Sequence, residues 1–181
     1  KIIEYKNSWL EVYDVPILYF PYFYHPDPTV ERKSGFLPPT FKNSNRYGTS
    51  VQIPYYKVIS DDKDMTISPR VFIDNNLIFQ TEYRQAFKGG DAIFDMSLNR
   101  ENDNTKTHFF ANINKKQKNK NYEINLQKVS NDNYLKKYNI QSPLIKTKET
   151  SILNSYIKFN ISEKYYNFES SIEVFENLEE E

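Results

Sequence analysis

Apolar and polar side chains alternate along most of this chain beyond residue 47. In residues 77–87, Leu77, Phe79, Thr81 and Tyr83 fall on one side and Gln80, Glu82 and Arg84 on the other. In residues 92–99, Ala92, Phe94, Met96 and Leu98 oppose Asp95, Ser97 and Asn99. In residues 121–129, Tyr122, Ile124 and Leu126 alternate with Glu123, Asn125 and Gln127. A period of two places successive side chains on opposite faces of a strand. The pattern is interrupted at Asp61-Asp62-Lys63, Asp74-Asn75-Asn76, Lys88-Gly89-Gly90-Asp91 and Lys115 to Lys120, all of turn-forming composition. It therefore predicts strands over 48–59, 64–73, 77–87, 92–99, 106–114 and 121–129, closed by a hairpin of 150–161 and 165–175. Residues 131–148 lack the period, and Tyr134 to Tyr138 predicts a short helical turn. The fold class that follows is all-β, an antiparallel meander.

The N-terminal part reads differently. Residues 2–13 predict a strand or hairpin with a break at Asn7-Ser8, and residues 15–24 a second extended segment kinked at Pro21. Residues 25–46 hold most of the prolines, with Gly35 and Asn43-Ser44-Asn45, and predict a connector. Pro54 interrupts the first strand of the meander and Pro69 lies within the second. Proline cannot donate to a sheet ladder, so both positions suit edges or bulges.

The polar side of the strands reads as polar throughout. Two architectures fit: a sheet with one solvated face, and a barrel with an apolar outside and a wet lumen. Fifteen Tyr and thirteen Phe stand beside one Trp and four Gly, a richness in aromatics that a soluble β-protein or biased codon usage also produces. No run approaches the ~18 apolar residues of a membrane-spanning helix, but spanning strands escape that test. Formal net charge is zero, which argues against a general nucleic-acid binder. Without cysteine there is no disulfide or thiolate site, and the redox compartment is not legible. The chain opens at Lys1 without Met and reads as an excised piece of a longer protein.

Catalytic and metal chemistry is sparse. His25 and His108 are far apart and lack ligand spacing; they read as a loop residue and a polar-face strand residue. Asp61, Asp62 and Asp64 lack the glycine and distal glutamate of a calcium loop. Gly89-Gly90 belongs to a hairpin turn and opens no phosphate-binding helix. No nucleophile and base occur in motif context, so an enzyme, including a β-rich hydrolase, is not expected, and no cofactor or metal is implied. The basic run Lys115 to Lys120 reads as a solvated hairpin tip, with contact to anionic lipid head groups as the second reading.

Several stretches together resemble one family. They are Trp9-Leu10-Glu11-Val12-Tyr13-Asp14-Val15-Pro16, Leu18-Tyr19-Phe20-Pro21-Tyr22-Phe23 and Arg32-Lys33-Ser34-Gly35-Phe36-Leu37-Pro38. Pro54-Tyr55-Tyr56, Asp64-Met65-Thr66-Ile67-Ser68-Pro69-Arg70 and Glu82-Tyr83-Arg84 continue the match. The segment resembles the outer-membrane lipopolysaccharide-assembly family LptD, also called OstA or organic solvent tolerance protein. Beyond about residue 100 the likeness is mainly the alternation of strands.

The resemblance implies a periplasmic β-jellyroll ending within residues 1–24, a proline-rich hinge over 25–46 and the first strands of a large outer-membrane β-barrel over 47–181. It implies transport of lipopolysaccharide into the outer leaflet through a lateral gate, with Pro54, Tyr55, Tyr56 and Pro69 at the gate. Pro21, Pro26, Pro28, Gly35, Phe36 and Pro38 would shape the hinge, and Gln80, Glu82 and Arg84 would face the lumen. The implied partners are lipopolysaccharide, outer-membrane lipid, an LptE-type plug lipoprotein and an LptA-type periplasmic bridge reached through the jellyroll. The strand count then has the first strand start near Tyr47 and run outward. The family's jellyroll-to-barrel disulfides have no counterpart here, because the segment lacks cysteine. The alternative from another class is a soluble or surface antiparallel β-sheet module that binds a hydrophobic ligand.

Overall fold

The computed structural model describes residues 2–12, 14–26, 32–44, 48–73, 76–101, 104–146 and 149–178. Pro28 and the residues around it lie outside that set, as do Asp74 and Asn75.

Strands β1 (Ile2–Val12) and β2 (Val15–Pro26) form an antiparallel hairpin. Its turn is made at Asp14, with φ of 61°. The break expected at Asn7-Ser8 is a kink within one strand. Asn7 takes φ of 52°, and the register steps from Lys6↔Tyr22 to Ser8↔Phe20, leaving Asn7 across from Pro21. Asparagine tolerates that left-handed conformation better than most residues, and its Oδ1 accepts a 2.8 Å hydrogen bond from the Tyr19 hydroxyl.

The remaining strands make one antiparallel sheet. They are β3 (Gly35–Phe36), β4 (Thr40–Ser44), β5 (Gly48–Gln52), β6 (Tyr55–Ser60), β7 (Lys63–Phe72), β8 (Leu77–Phe87), β9 (Gly90–Glu101), β10 (Asn104–Gln117), β11 (Lys120–Val129), β12 (Ile152–Ser162) and β13 (Asn167–Asn177). From β7 to β13 each strand pairs with the next, a meander. A single helical turn, α1 (Tyr134–Lys137), lies between β11 and β12, where the sequence predicts one. Strands β7 to β13 each run ten residues or more, enough for the ~9–11 residues with which a tilted strand crosses a bilayer.

Two expectations change. The stretch read as a pure connector carries β3 and β4, which pair with β6 and β5, so the sheet begins before Tyr47. The strand expected over 48–59 is two strands, β5 and β6, laid end to end along β7. Their register is continuous, Gln52↔Arg70 and then Tyr55↔Ile67, so nothing is inserted between them. The interruption falls where Pro69, opposite Ile53, has no N–H to complete the pair, and is not a bulge.

The Gly89-Gly90 turn is glycine for a spatial reason. Gly89 has φ of 79°, and a side chain at either glycine would run into the backbone carbonyls of Lys116 or Asn114 in the neighbouring hairpin.

The polar side is less uniform than its sequence suggests. Phe72, Ile78, Phe110 and Val129 project from it near the end where β11 leaves the sheet. Residues 130–146 fold back there and cover them with Tyr134, Leu135, Tyr138 and Ile140, all buried. Each fully buried side chain of this size contributes about 1.5–3 kcal/mol relative to exposure.

Candidate functional site

The first feature is the apolar face. The ladders place Leu77, Phe79 and Tyr83 of β8 beside Leu98 and Phe94 of β9, with Met96 opposite Thr81 and Phe109. The row runs on through Leu126 and Ile124 of β11 to Ile157 of β12 and Ile172 of β13. Most of these side chains stay open, with Tyr83, Phe94 and Ile124 half-buried among them: Phe79 is 44% exposed, Leu98 49% and Ile172 70%. Gln80, Glu82 and Arg84 point to the opposite face, with Asp95 and Ser97, in the alternation the sequence shows. Exposed contiguous apolar surface on this scale marks contact with lipid, protein or ligand.

The second feature is a proline seam. Ile53 N–H donates to the Pro69 carbonyl at 3.1 Å, so the backbone of residue 69 faces β5 and β6. Proline has no N–H to return, and that crossing keeps one bond of two. Pro54 faces the other way: its carbonyl accepts from Leu37 N–H at 2.9 Å, and its missing donor weakens the side toward β3. The two prolines thus thin two adjacent ladders at nearly the same height. Tyr55 and Tyr56 follow on opposite faces. Tyr55 packs edge-on against Phe36, with ring centroids 5.1 Å apart. Tyr56 donates to Asp64 at 3.1 Å.

Asp64 is buried and centres an ionic cluster on the polar face. Arg84 Nε donates to it at 2.8 Å, Arg32 pairs with it, and Arg84 lies 3.5 Å from Glu82. Arg32 also donates to the Tyr56 hydroxyl and to the Asp61 carbonyl, at 3.1 Å and 2.8 Å. With Ser34 Oγ accepting from Val58 N–H at 2.9 Å, residues 32–37 are fastened along β6. Among the expected hinge residues, Gly35 and Phe36 are therefore sheet residues; Pro38 is exposed between β3 and β4, and Pro21 and Pro26 lie in β2.

The third feature was not anticipated as a site. Ser97 Oγ lies 2.6 Å from His108 Nδ1 and 2.8 Å from the Tyr134 hydroxyl. His108 Nε2 and Asp95 Oδ2 are 3.2 Å apart, both fully buried, without the alignment of a hydrogen bond. Asp95 Oδ1 accepts from Gln80, which also donates to the Gln141 carbonyl, at 3.0 Å and 2.6 Å. Burial holds the Tyr134 phenol neutral and raises its pKa to about 12. Serine, histidine and aspartate are together here, but Tyr134 closes over Ser97, so the cluster fastens a segment and presents no nucleophile. Asp95 and Ser97 two residues apart, with a histidine on the next strand, is the only trace it leaves in the sequence.

The profile of a family described as LptD protein matches residues 3–181. The LPS-assembly protein LptD of Pseudomonas savastanoi pv. phaseolicola is 40% identical over 101 residues, 55% of this chain and 11% of that protein. The proteins of the same name from Pseudoalteromonas translucida and Idiomarina loihiensis are 36% and 31% identical, each over 73% of this chain and 18% of its own length. The chain thus spans less than a fifth of the length of these relatives.

Proposed function

The chain belongs to the LptD family, and from that premise we propose that its larger sheet is part of the wall of an outer-membrane β-barrel that delivers lipopolysaccharide to the outer leaflet. The observation that carries this reading is the apolar face, which stays exposed and in register from β7 to β13. A free-standing module would leave that face in water, whereas a barrel wall turns it to lipid. The relatives' name, LPS-assembly protein, supplies the substrate class.

In this reading Pro54 and Pro69, with Tyr55 and Tyr56, lie at a lateral gate. In lipid no water replaces a missing backbone donor, so each proline leaves its ladder easier to part. Residues 1–24 belong to the end of a periplasmic jellyroll, and residues 25–46 join it to the wall, to which they also add β3 and β4. An LptE-type lipoprotein fills the lumen that Gln80, Glu82 and Arg84 line, and an LptA-type bridge feeds the jellyroll.

Depletion of the full-length protein tests the reading. Cells should lose surface lipopolysaccharide and become permeable to large hydrophobic drugs, and re-expression should reverse both. Normal surface lipopolysaccharide after depletion would refute it.

A further inference from the structure

The turns that close β8–β9, β10–β11 and β12–β13 adjoin at one end of the sheet. Lys116 N–H donates to the Gly89 carbonyl at 2.7 Å, and Ser162 N–H donates to the Asn119 carbonyl at 2.8 Å. This rim carries six exposed lysines, Lys88, Lys115, Lys116, Lys118, Lys120 and Lys164. Among the described residues none of the six is in an ion pair, while Lys128 and Lys158 elsewhere in the sheet pair with Glu176 and Glu173. The carboxylates at this end include Asp91, second residue of β9, Glu163, engaged by Asn119, and Asp62 of the adjoining β6–β7 turn, engaged by Ser60.

Register places two of these lysines on the apolar face. Lys115 is level with Tyr122 and Phe159, and Lys120 with Ile161 and Phe168. Tyr122 and Phe159 stack with centroids 4.9 Å apart, and Phe159 meets Phe168 at 6.3 Å. A row of rings ending an apolar band, with cations just beyond it, is the arrangement of a bilayer boundary. A lysine stem can lie along the apolar surface while its ammonium reaches the phosphate level.

We propose that this rim is a docking surface for the phosphate head groups of bilayer lipids. The proposal rests on the reading that the apolar face meets lipid. The occupant follows from charge: unpaired cations beside an apolar face match an anionic group that carries its own acyl chains.

The test uses the full-length protein with Phe159→Trp, reconstituted in phosphatidylcholine bilayers, against the same protein with Phe159 retained as background. Quenching by brominated phosphatidylglycerol is compared with quenching by brominated phosphatidylcholine. The anionic lipid should be preferred by about tenfold near the introduced indole, the effect of one to two lysines at a charged surface. Lys115→Gln, Lys118→Gln and Lys120→Gln together should abolish the preference, and Lys146→Gln should not. Equal quenching by both lipids in the parent, or a preference surviving the triple substitution, overturns the docking surface. Loss of the preference to millimolar inorganic phosphate overturns it too, reducing the rim to a general anion site. Absence of quenching by either lipid overturns instead the lipid-facing reading beneath it.

Discussion

Arg70 Nη1 donates to the backbone carbonyl of Tyr138 at 2.5 Å, joining residues 68 positions apart. The guanidinium also donates to Ser50 Oγ at 3.0 Å and lies 4.7 Å from the Phe72 ring centroid. One buried side chain thus fastens the segment around α1 to both β5 and β7. A hydrogen bond from a charged donor is worth about 1.5–3 kcal/mol. Arg70→Met keeps the apolar stem and removes the donors. Amides of residues 134–140 should then exchange with solvent roughly 10- to 100-fold faster, the factor those energies imply. Unchanged protection would show that apolar packing alone holds the segment.

Tyr134 gives the same docking a pH limit. Its phenol ionises near pH 10.0 when free and at about 12 when buried against Ser97. The neutral form is the one that packs. Docking is therefore at full strength below pH 10.0 and weakens as pH rises toward 12, because the undocked phenol gives up its proton first. Ultraviolet difference titration of the parent against Tyr134→Phe should isolate one late-ionising phenol. A difference spectrum with its midpoint at the ordinary tyrosine value would mean that Tyr134 is open to water.

Phe79 and Glu82 test the two faces within one strand. Phe79→Lys should destabilise the membrane-embedded protein by ~2–4 kcal/mol near the midplane, while Glu82→Gln should change stability by no more than about 0.5 kcal/mol. Spin labels at the two positions should report lipid at Phe79 and water at Glu82. The opposite accessibilities would place the apolar face inside.

Pro54 and Pro69 act on different ladders. Pro69→Ala adds a donor aimed at the Ile53 carbonyl, and Pro54→Ala adds one on the side of β3. Each should tighten its own seam by about 0.5–1.5 kcal/mol, more where water is excluded. Surface lipopolysaccharide should fall in each single variant and further in the double, since the two bonds share no partner. Wild-type levels in all three variants would remove the prolines from the gate.

Strand identity was legible from residue order alone wherever a strand is long and two-faced. Leu77 to Phe87 and Gly90 to Glu101 announce themselves because side-chain direction in a strand is a local property with a period of two. That alternation also determined the apolar face, and the turn residues bounded it. Strands β3 and β4 left no such trace. Two and five residues are too few for a period, and their state depends on β6 and β5 beside them. The Pro54 interruption was visible, but which ladder each proline thins depends on which way its backbone faces, a matter of pairing. The docked segment was legible only as a helical turn. Its anchors, Arg70 to Tyr138 and Ser97 to Tyr134, join residues 68 and 37 positions apart. Such contacts exist only once β5, β7, β8, β9 and β10 are side by side, and no local pattern in the chain can record them.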